Sequence, residues 1–365
     1  MNRRLFSLAA TTLVVLAASS QTPAAQAAPA SSPPDSRTYE VQQSVILSDI
    51  PKGAKKIGLW ISIPDDAAAQ RLLDLSVKSA PGPWKIVRDR DRGCRFLYVD
   101  VSKPNADKLT TTVTFAVERT SVFYDLDPAK GTPLTEEQKA VFAEDLRTDS
   151  PHMEVTPEIR KIVTEQLGDE KNPIVQVSKL QNHVAAVADH YSKNPNVPKC
   201  GLGDAKACLQ QGGGCCTDLH SLFISLARAA GVPARLQMGY RLQPKNVGIE
   251  ADPGYRCWAE YFIAGYGWVP TDIVEADAAE GDAKARWFSG LTERRVHLNE
   301  GRDFDLPFKK NAARVNHMSI AYAEIDGKPA RVLPEGDKQP QITRLVTYTE
   351  RPSAQTTAAI TPPPR

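Results

Sequence analysis

The feature that most constrains the fold is an apolar helical pattern that starts at two adjacent cysteines. Gly212–Gly214 lead into Cys215 and Cys216, and apolar residues then recur at helical spacing until a Gly-Val-Pro sequence at 231–233. Glycines leave the backbone free to turn before a helix, and a glycine followed by a proline ends one. The pattern therefore predicts a helix over residues 217–230 with Cys216 at its N-terminus.

This position bears on the chemistry of Cys216. Unpaired backbone N–H groups and the positive end of the helix dipole favour a thiolate over a thiol. We therefore expect the pKa of Cys216 to be lowered, as a nucleophile requires. A buried small side chain at a helix start explains this segment equally well, so the segment alone leaves both interpretations open.

A second stretch predicts a β-hairpin. Two β-prone runs, 255–262 and 268–272, flank the turn Ala264–Gly267. A glycine-containing turn between two such runs is typical of a hairpin. A hairpin over residues 257–271 brings Asp272 back toward Arg256.

In this order, the two stretches resemble the transglutaminase-like superfamily, whose members have a papain-like cysteine fold. The blocks GGGCCTDLHSLFISLARAAGVPAR and YRCWAEYFIAGYGWVPTD carry the resemblance, and the similarity extends from about Ile174 to Asp305. By position, Cys216 matches the family's nucleophile and Asp272 matches the acid that orients its histidine. The resemblance implies an α+β fold with a papain-like (transglutaminase-like) core, preceded by a β-rich segment.

The chain departs from the family at the catalytic histidine, where Arg256 stands. Histidine can take a thiol proton and return it to a leaving amine because its pKa lies near neutrality, whereas arginine stays protonated. We expect Arg256 to stabilise a thiolate at Cys216 or to pair with Asp272. Such a site keeps its charge and loses its base.

Two neighbouring residues bear on whether another base replaces the histidine. His220 lies one helical turn after Cys216, on the same side of the predicted helix, and its apolar neighbours favour a structural role. Cys257 follows Arg256 on the predicted strand. Because successive side chains on a strand alternate, we expect Cys257 to face away from the site.

Other residues near the cysteine pair give weaker signals. Gln210, six residues before Cys216, is a candidate oxyanion donor, as an upstream side chain is in papain-like enzymes; a surface glutamine is the alternative. Cys200 and Cys208 bracket a short segment and either form a disulfide or remain free thiols. Cys215 and Cys216 allow a redox role. No metal or organic cofactor is implied.

The N-terminus has the pattern of a cleavable signal peptide. Arg3 and Arg4 precede an apolar stretch that is too short to span a bilayer, and small residues follow at 25–28. We expect an exported protein, periplasmic or extracellular, without a membrane span. The 45 basic and 43 acidic residues are interspersed, with a net charge of +2, which does not indicate nucleic-acid binding.

The rest of the chain predicts further units. Apolar and polar residues alternate around Ile57–Ile63, helix start signals occur at Thr135 and Thr156, and a helical pattern over 174–191 carries His183 and His190. The predicted order is a signal peptide (1–27), an N-terminal β-sandwich (28–130), a helical connector (131–172), a transglutaminase-like domain (173–305), a C-terminal β-rich extension (306–350) and a disordered tail (351–365).

Two functions follow from this reading. One is thiol-dependent acyl transfer, or amide or peptide hydrolysis, through a Cys216 thioester, weakened or lost because Arg256 replaces the histidine. The other is a non-catalytic binding or scaffold role for the same cleft. Both imply a protein or peptide as substrate or ligand.

Overall fold

The computed structural model describes residues 35–199, 202–332 and 341–352. The predicted signal peptide therefore lies outside the described residues, as do Cys200 and residues 353–365. The described strands, in chain order, are β1 (Ser36–Ser48), β2 (Lys56–Ser62), β3 (Gln70–Ser79), β4 (Trp84–Arg88), β5 (Arg95–Ser102), β6 (Leu109–Thr120), β7 (Val122–Phe123), β8 (Asp189–His190), β9 (Gly213–Gly214), β10 (Ala234–Arg241), β11 (Arg256–Ile263), β12 (Gly267–Thr271), β13 (Gly290–Leu291), β14 (Arg295–Glu300), β15 (Ala321–Ile325), β16 (Lys328–Pro329), β17 (Arg331–Val332) and β18 (Gln341–Pro352). The α-helices are α1 (Glu136–Val141), α2 (Pro157–Leu167), α3 (Pro173–Val187), α4 (Ala205–Gln211), α5 (Cys216–Ala229), α6 (Ile273–Asp277) and α7 (Gly281–Phe288).

Strands from both ends of the chain form two five-stranded sheets. The strand order is β17-β18-β1-β6-β3 in one sheet and β16-β15-β2-β5-β4 in the other. The alternating residues Ile57, Leu59 and Ile61 of β2 share one buried core with Val45 and Leu47 of β1, which lies in the other sheet. The period-two pattern therefore marks strands whose apolar side chains lie inside.

The C-terminal segment contributes strands to both sheets. β18 pairs antiparallel with β1 from Arg37↔Pro352 to Ser48↔Gln341, and β15 pairs with β2. The segment assigned to an extension therefore lies beside the first strands of the chain. β18 also includes the first two residues of the segment that was predicted to be a disordered tail.

The helix and the hairpin that the two cysteine-containing stretches predict are both confirmed. α5 packs on a four-stranded antiparallel sheet of order β12-β11-β10-β14, in which β11 and β12 form the hairpin. Leu219, Leu222, Phe223 and Leu226 of α5 are fully buried. The polar positions of α5 are buried as well, because α2, α3 and α4 contact it on its other sides. A helix that is covered all round lies at the centre of its domain.

The two helix starts ahead of this domain are also confirmed. Thr135 caps α1 in a capping box with Gln138, and Thr156 caps α2 by accepting a hydrogen bond from the N–H of Ile159 at 3.3 Å. Ile159 and Leu167 of α2 are buried in the core that contains α5. The second of these helices is therefore part of the domain core as well as a connection to it.

A further core joins the β1 sheet to the sheet under α5. Tyr39 of β1 packs in it with Tyr240 of β10 and Val296 of β14. Each of these partners is adjacent to an arginine, Arg241 at the end of β10 and Arg295 at the start of β14. The packing therefore positions two charged groups beside the candidate site. Within the described ranges, no helix has the length and apolar character needed to cross a membrane.

Candidate active site

The start of α5 is fixed by the side chain of Asp218. Cys215 is the N-cap residue, and its N–H donates to Asp218 Oδ2 at 2.9 Å. Asp218 Oδ1 accepts a second hydrogen bond from the N–H of Asp204 at 3.1 Å. A Cβ at Gly214 would lie 2.6 Å from Asp218 Oδ2, so this position requires glycine. Cys216 is the first residue of the helix, as predicted.

A short parallel pairing brings His190 to this helix start. Asp189 and His190 pair with Gly213 and Gly214, respectively. Gly213 has a φ of 141°, and a Cβ there would lie 2.0 Å from the Asp189 carbonyl oxygen. The prediction that His190 lies on the third helix is wrong, since α3 ends before it and the chain then pairs with β9.

Three thiols meet at the start of α5. The side chain of Cys216 hydrogen-bonds with those of Cys215 and Cys257, and Cys257 Sγ lies 3.6 Å from Nδ1 of His220. The prediction that Cys257 faces away from the site is wrong, because α5 covers the face of β11 on which Cys257 lies. All three cysteines are buried.

Cys216 is a neutral thiol in this environment. The hydrogen bond with Cys215 lowers the pKa of Cys216, but the hydrogen bond with Cys257 and burial raise it to about 12. The positive charge of Arg256 also lowers the pKa, without offsetting this rise. The expected lowering of the pKa at a helix N-terminus is therefore outweighed, and the thiol is protonated at neutral pH.

Arg256 pairs with a carboxylate other than the expected one. Its Nη2 donates to Glu275 Oε1 at 3.0 Å. The same oxygen accepts from Arg241 at 2.6 Å and from Arg295 at 2.8 Å. The ion pair between Arg256 and Asp272 that the sequence suggested is replaced by one carboxylate shared among three guanidinium groups.

Asp272 is occupied by other partners. It is fully buried, its Oδ2 accepts from Arg295 Nη2 at 2.7 Å, and its Oδ1 caps α6 by accepting from the N–H of Glu275 at 3.2 Å. Burial by itself raises the pKa of Asp272, but the charges of Arg295 and Arg256 lower it below the ordinary value. Asp272 is therefore an ionised carboxylate that already has its hydrogen-bond donors.

His220 is the histidine beside Asp272. Its Nε2 lies 3.8 Å from Asp272 Oδ1 and accepts from the N–H of Ile273 at 3.1 Å, while its Nδ1 donates to the carbonyl oxygen of Cys216 at 2.7 Å. Backbone carbonyls only accept and backbone N–H groups only donate, which fixes the neutral tautomer with the proton on Nδ1. Burial lowers the pKa of His220 to about 4. Neither ring nitrogen is free to take a proton from Cys216.

Tyr255 covers the start of α5. Its hydroxyl lies 3.2 Å from Thr217 Oγ1 and 3.6 Å from Cys215 Sγ, and its ring stacks on that of His317 with centroids 5.9 Å apart. Its position is not predictable from the sequence, because nothing in the local pattern links residue 255 to the helix start. Tyr255 restricts access to the thiols.

The sequence also did not predict the carboxylate that pairs with Arg256, or the two arginines that share this carboxylate. Glu275 had a signal, since it lies three residues after Asp272, at the spacing of an N-cap residue and its acidic partner. No sequence signal indicated Arg241 or Arg295. They lie directly opposite each other on β10 and β14, and this pairing depends on the tertiary structure.

Two remaining candidates lie on α4. Gln210 is exposed near the end of this helix, and its role as an oxyanion donor stays a prediction. Cys208 is buried in the core against α5 and is a free thiol, whereas Cys200, the other cysteine of the predicted pair, lies outside the described residues. In the part of the chain that the structure describes, no group of three or more His, Cys, Asp or Glu residues could hold a metal ion.

A cavity of about 600 Å³ opens beside Arg256. Its wall includes His190, Lys193, Arg241 and Glu275. Cys216 is not among the described residues that line it, and only 4% of its surface is exposed. The charged cleft and the thiol cluster are therefore adjacent, and Arg256 contributes to both.

Comparison with known proteins connects this region with a family. Residues 160–273 match the family model of the Transglutaminase-like superfamily. An "Uncharacterized protein" of Haemophilus influenzae is 28% identical over 332 residues, which cover 81% of this chain and 88% of that protein.

One of the similar solved structures shows the same fold at low identity. The crystal structure of a "Putative Cysteine Protease" from Cytophaga hutchinsonii is 14% identical, with a TM-score of 0.57 over 89% of this chain and 93% of that chain. The periplasmic domain of TgpA from Pseudomonas aeruginosa is 16% identical, with a TM-score of 0.30 over 70% of this chain and 92% of that chain. Residues 160–273 match the family model, and the architecture around them is mixed α/β. The chain therefore contains a domain of the transglutaminase-like superfamily.

Proposed function

We propose that this chain is an exported transglutaminase-like protein in which acyl transfer or amide hydrolysis through Cys216 is weakened or lost. The observation that carries the proposal is the state of Arg256, which occupies the base position and donates to Glu275 at 3.0 Å. A guanidinium group stays protonated in proteins and cannot accept the thiol proton. The neighbouring imidazole of His220 cannot substitute, because both of its nitrogens bond to the backbone.

The step that lacks a catalytic group is a proton transfer. For Cys216 to attack a carboxamide carbonyl, its proton must leave sulfur and later reach the departing amine. Water or a second amine then resolves the thioester. With a thiol pKa of about 12 and no base in place, the first step is slow. The histidine that carries this proton in the family is replaced here by Arg256.

The second candidate, a binding or scaffold role, is favoured by the charged cleft. The cavity beside Arg256 is large enough for several residues of a peptide, and its arginines and Glu275 are partly buried. Export is supported by the sequence pattern at residues 1–27. An exported binding protein would use this cleft without chemistry at Cys216.

Replacement of Arg256 by His tests the loss of the base. With p-nitrophenyl acetate as a generic acyl donor, we expect acetylation of Cys216, measured by peptide mass spectrometry, to be at least about tenfold faster in Arg256→His than in the natural protein. General bases contribute about 10²–10⁴-fold, and the smaller gain is expected because Arg295 already holds Asp272.

Two control variants complete the test. Arg256→Gln removes the charge without supplying a base and should not accelerate acetylation. Arg256→His combined with Cys216→Ala should abolish it. If the natural protein acetylates Cys216 as fast as Arg256→His does, the site has a working base and the proposal is wrong.

A further inference from the structure

The cleft beside Arg256 has an excess of positive charge at one end. Arg241, Arg256 and Arg295 converge on Glu275, and Arg295 also pairs with Asp272. Three cations therefore face two carboxylates. Because these groups are half-buried or buried, their charges are only partly screened by solvent.

The other charges of the cleft do not cancel this excess. Lys193 is paired with Asp277 at 2.9 Å. Glu280 lies on the wall of the cavity but is exposed to solvent, where its interaction with a buried group is weak. His190 carries no charge at neutral pH, because burial lowers its pKa to about 4.

Two of the arginines can donate further hydrogen bonds. Arg241 and Arg256 line the cavity, and each has Glu275 as its single ion-pair partner among the described residues. A guanidinium group carries five N–H donors in a planar fork that matches a carboxylate. Arg295, by contrast, is almost completely buried and does not line the cavity.

The lining of the cavity also includes apolar side chains. Val274, Ala278 and Ala279 line the same cavity. A ligand that fits both parts of the wall has an anionic head group and small aliphatic substituents. A peptide carboxylate has these properties, whereas a polyanion such as a nucleic acid would meet Glu280 and Asp277 as well.

We propose that Arg241 and Arg256 bind a carboxylate group of a peptide in this cleft, either a C-terminal carboxylate or an Asp or Glu side chain. The inference rests on the binding role given above as the second candidate function. In this role, the arginine in the base position recognises an anion. In the free protein, Arg241 and Arg256 both donate to Glu275. In the complex, they donate to Glu275 and to the ligand carboxylate.

The test uses three short peptides and ligand-observed NMR titration of the signal-free protein. The peptides are N-acetyl-trialanine with a free C-terminus, its C-terminal amide, and the amide with its central Ala replaced by Glu. We expect at least one carboxylate peptide to bind about tenfold or more tightly than the uncharged amide, because hydrogen bonds to charged groups are the strong ones. The two carboxylate peptides distinguish a C-terminal from a side-chain carboxylate.

Variants assign the binding to the two arginines. Arg256→Gln and Arg241→Gln should each weaken carboxylate binding about tenfold or more, while Arg160→Gln, on the exposed surface of α2, should not change it. Glu275 keeps two arginines in either variant, so the fold is expected to persist, and an unchanged Tm verifies this. Arg256→Lys, which keeps the charge but loses the planar fork, should give an intermediate affinity.

The result that would overturn the inference is equal affinity for all three peptides, no binding of any, or unchanged binding in both Gln variants. None of these outcomes affects the acetylation experiment, which depends on Cys216 and on a base at residue 256. Conversely, a natural protein that acetylates Cys216 rapidly would remove the proposed loss of activity while leaving carboxylate binding to be measured by itself.

Discussion

Replacement of Asp272 by Asn is expected to lower the free energy of unfolding by about 3 kcal/mol at pH 7. Asp272 and Arg295 form an ion pair in which the side chains are 0% and 1% exposed. Asparagine has nearly the same shape and can still cap α6, so the main loss is the negative charge. Arg295 then stays buried with Glu275 as its remaining ionic partner, and an incompletely paired buried charge is costly.

The loss of stability in Asp272→Asn should also depend on pH. The pKa of Asp272 is lowered in the folded protein, so its ionisation stabilises the fold above the unfolded-state pKa of about 4. The contribution is lost as the pH falls through the lower, folded-state pKa. The difference in unfolding free energy between the natural protein and Asp272→Asn should therefore be largest near neutrality and shrink at pH values below about 4.

Urea unfolding followed by circular dichroism measures both effects. Glu165→Gln is the matched control, because Glu165 pairs with Lys161 on the exposed surface of α2. Exposed pairs of this kind contribute about 0–1 kcal/mol. If the two variants lose the same small amount of stability, the buried pair does not have the role described here.

Alkylation of Cys216 by iodoacetamide is expected to be about three orders of magnitude slower at pH 7 than that of an unhindered thiol. The reactive species is the thiolate, and burial together with the hydrogen bond to Cys257 raises the pKa of Cys216 to about 12. The thiolate fraction at pH 7 is then about a thousandth of that of a thiol with an ordinary pKa near 9. The rate should keep rising from pH 7 to pH 10 without a plateau.

Peptide mass spectrometry resolves the rate at each cysteine, and two variants test the cause. Cys257→Ala removes a hydrogen bond that raises the pKa, so Cys216 should react faster. Arg256→Ala removes a charge that lowers the pKa, so Cys216 should react more slowly. A plateau reached below pH 7 in the natural protein would show a preformed thiolate and contradict the structure.

The parts of the fold that the sequence predicts are those determined by neighbouring residues. The start of α5 follows from Gly214, Cys215 and Asp218, which lie within five positions of one another and form the cap themselves. The hairpin of β11 and β12 follows from a turn between two β-prone runs. Such features require no knowledge of the rest of the chain, and both were predicted correctly.

The electrostatics of the site depend on residues that are far apart in the sequence. Arg256 was expected to pair with Asp272, but Arg295 occupies that carboxylate, and its placement requires β14 to pair with β10. A helix N-terminus by itself predicts a lowered pKa for Cys216. The larger contributions come from burial and from Cys257, and both depend on how β11 packs against α5.

The pairing of β1 with β18 has a consequence for how this protein folds. The two strands are the first and last of the described chain, and they pair over Ser48↔Gln341 to Arg37↔Pro352. Contacts between such distant segments form slowly, because a long loop must close before they stabilise the chain. Until β18 is available, β1 has an unpaired edge that can associate with other chains. Assembly of the N-terminal sheet must therefore wait for residues 341–352, and a chain truncated before residue 341 should be prone to aggregation even though its transglutaminase-like segment is complete.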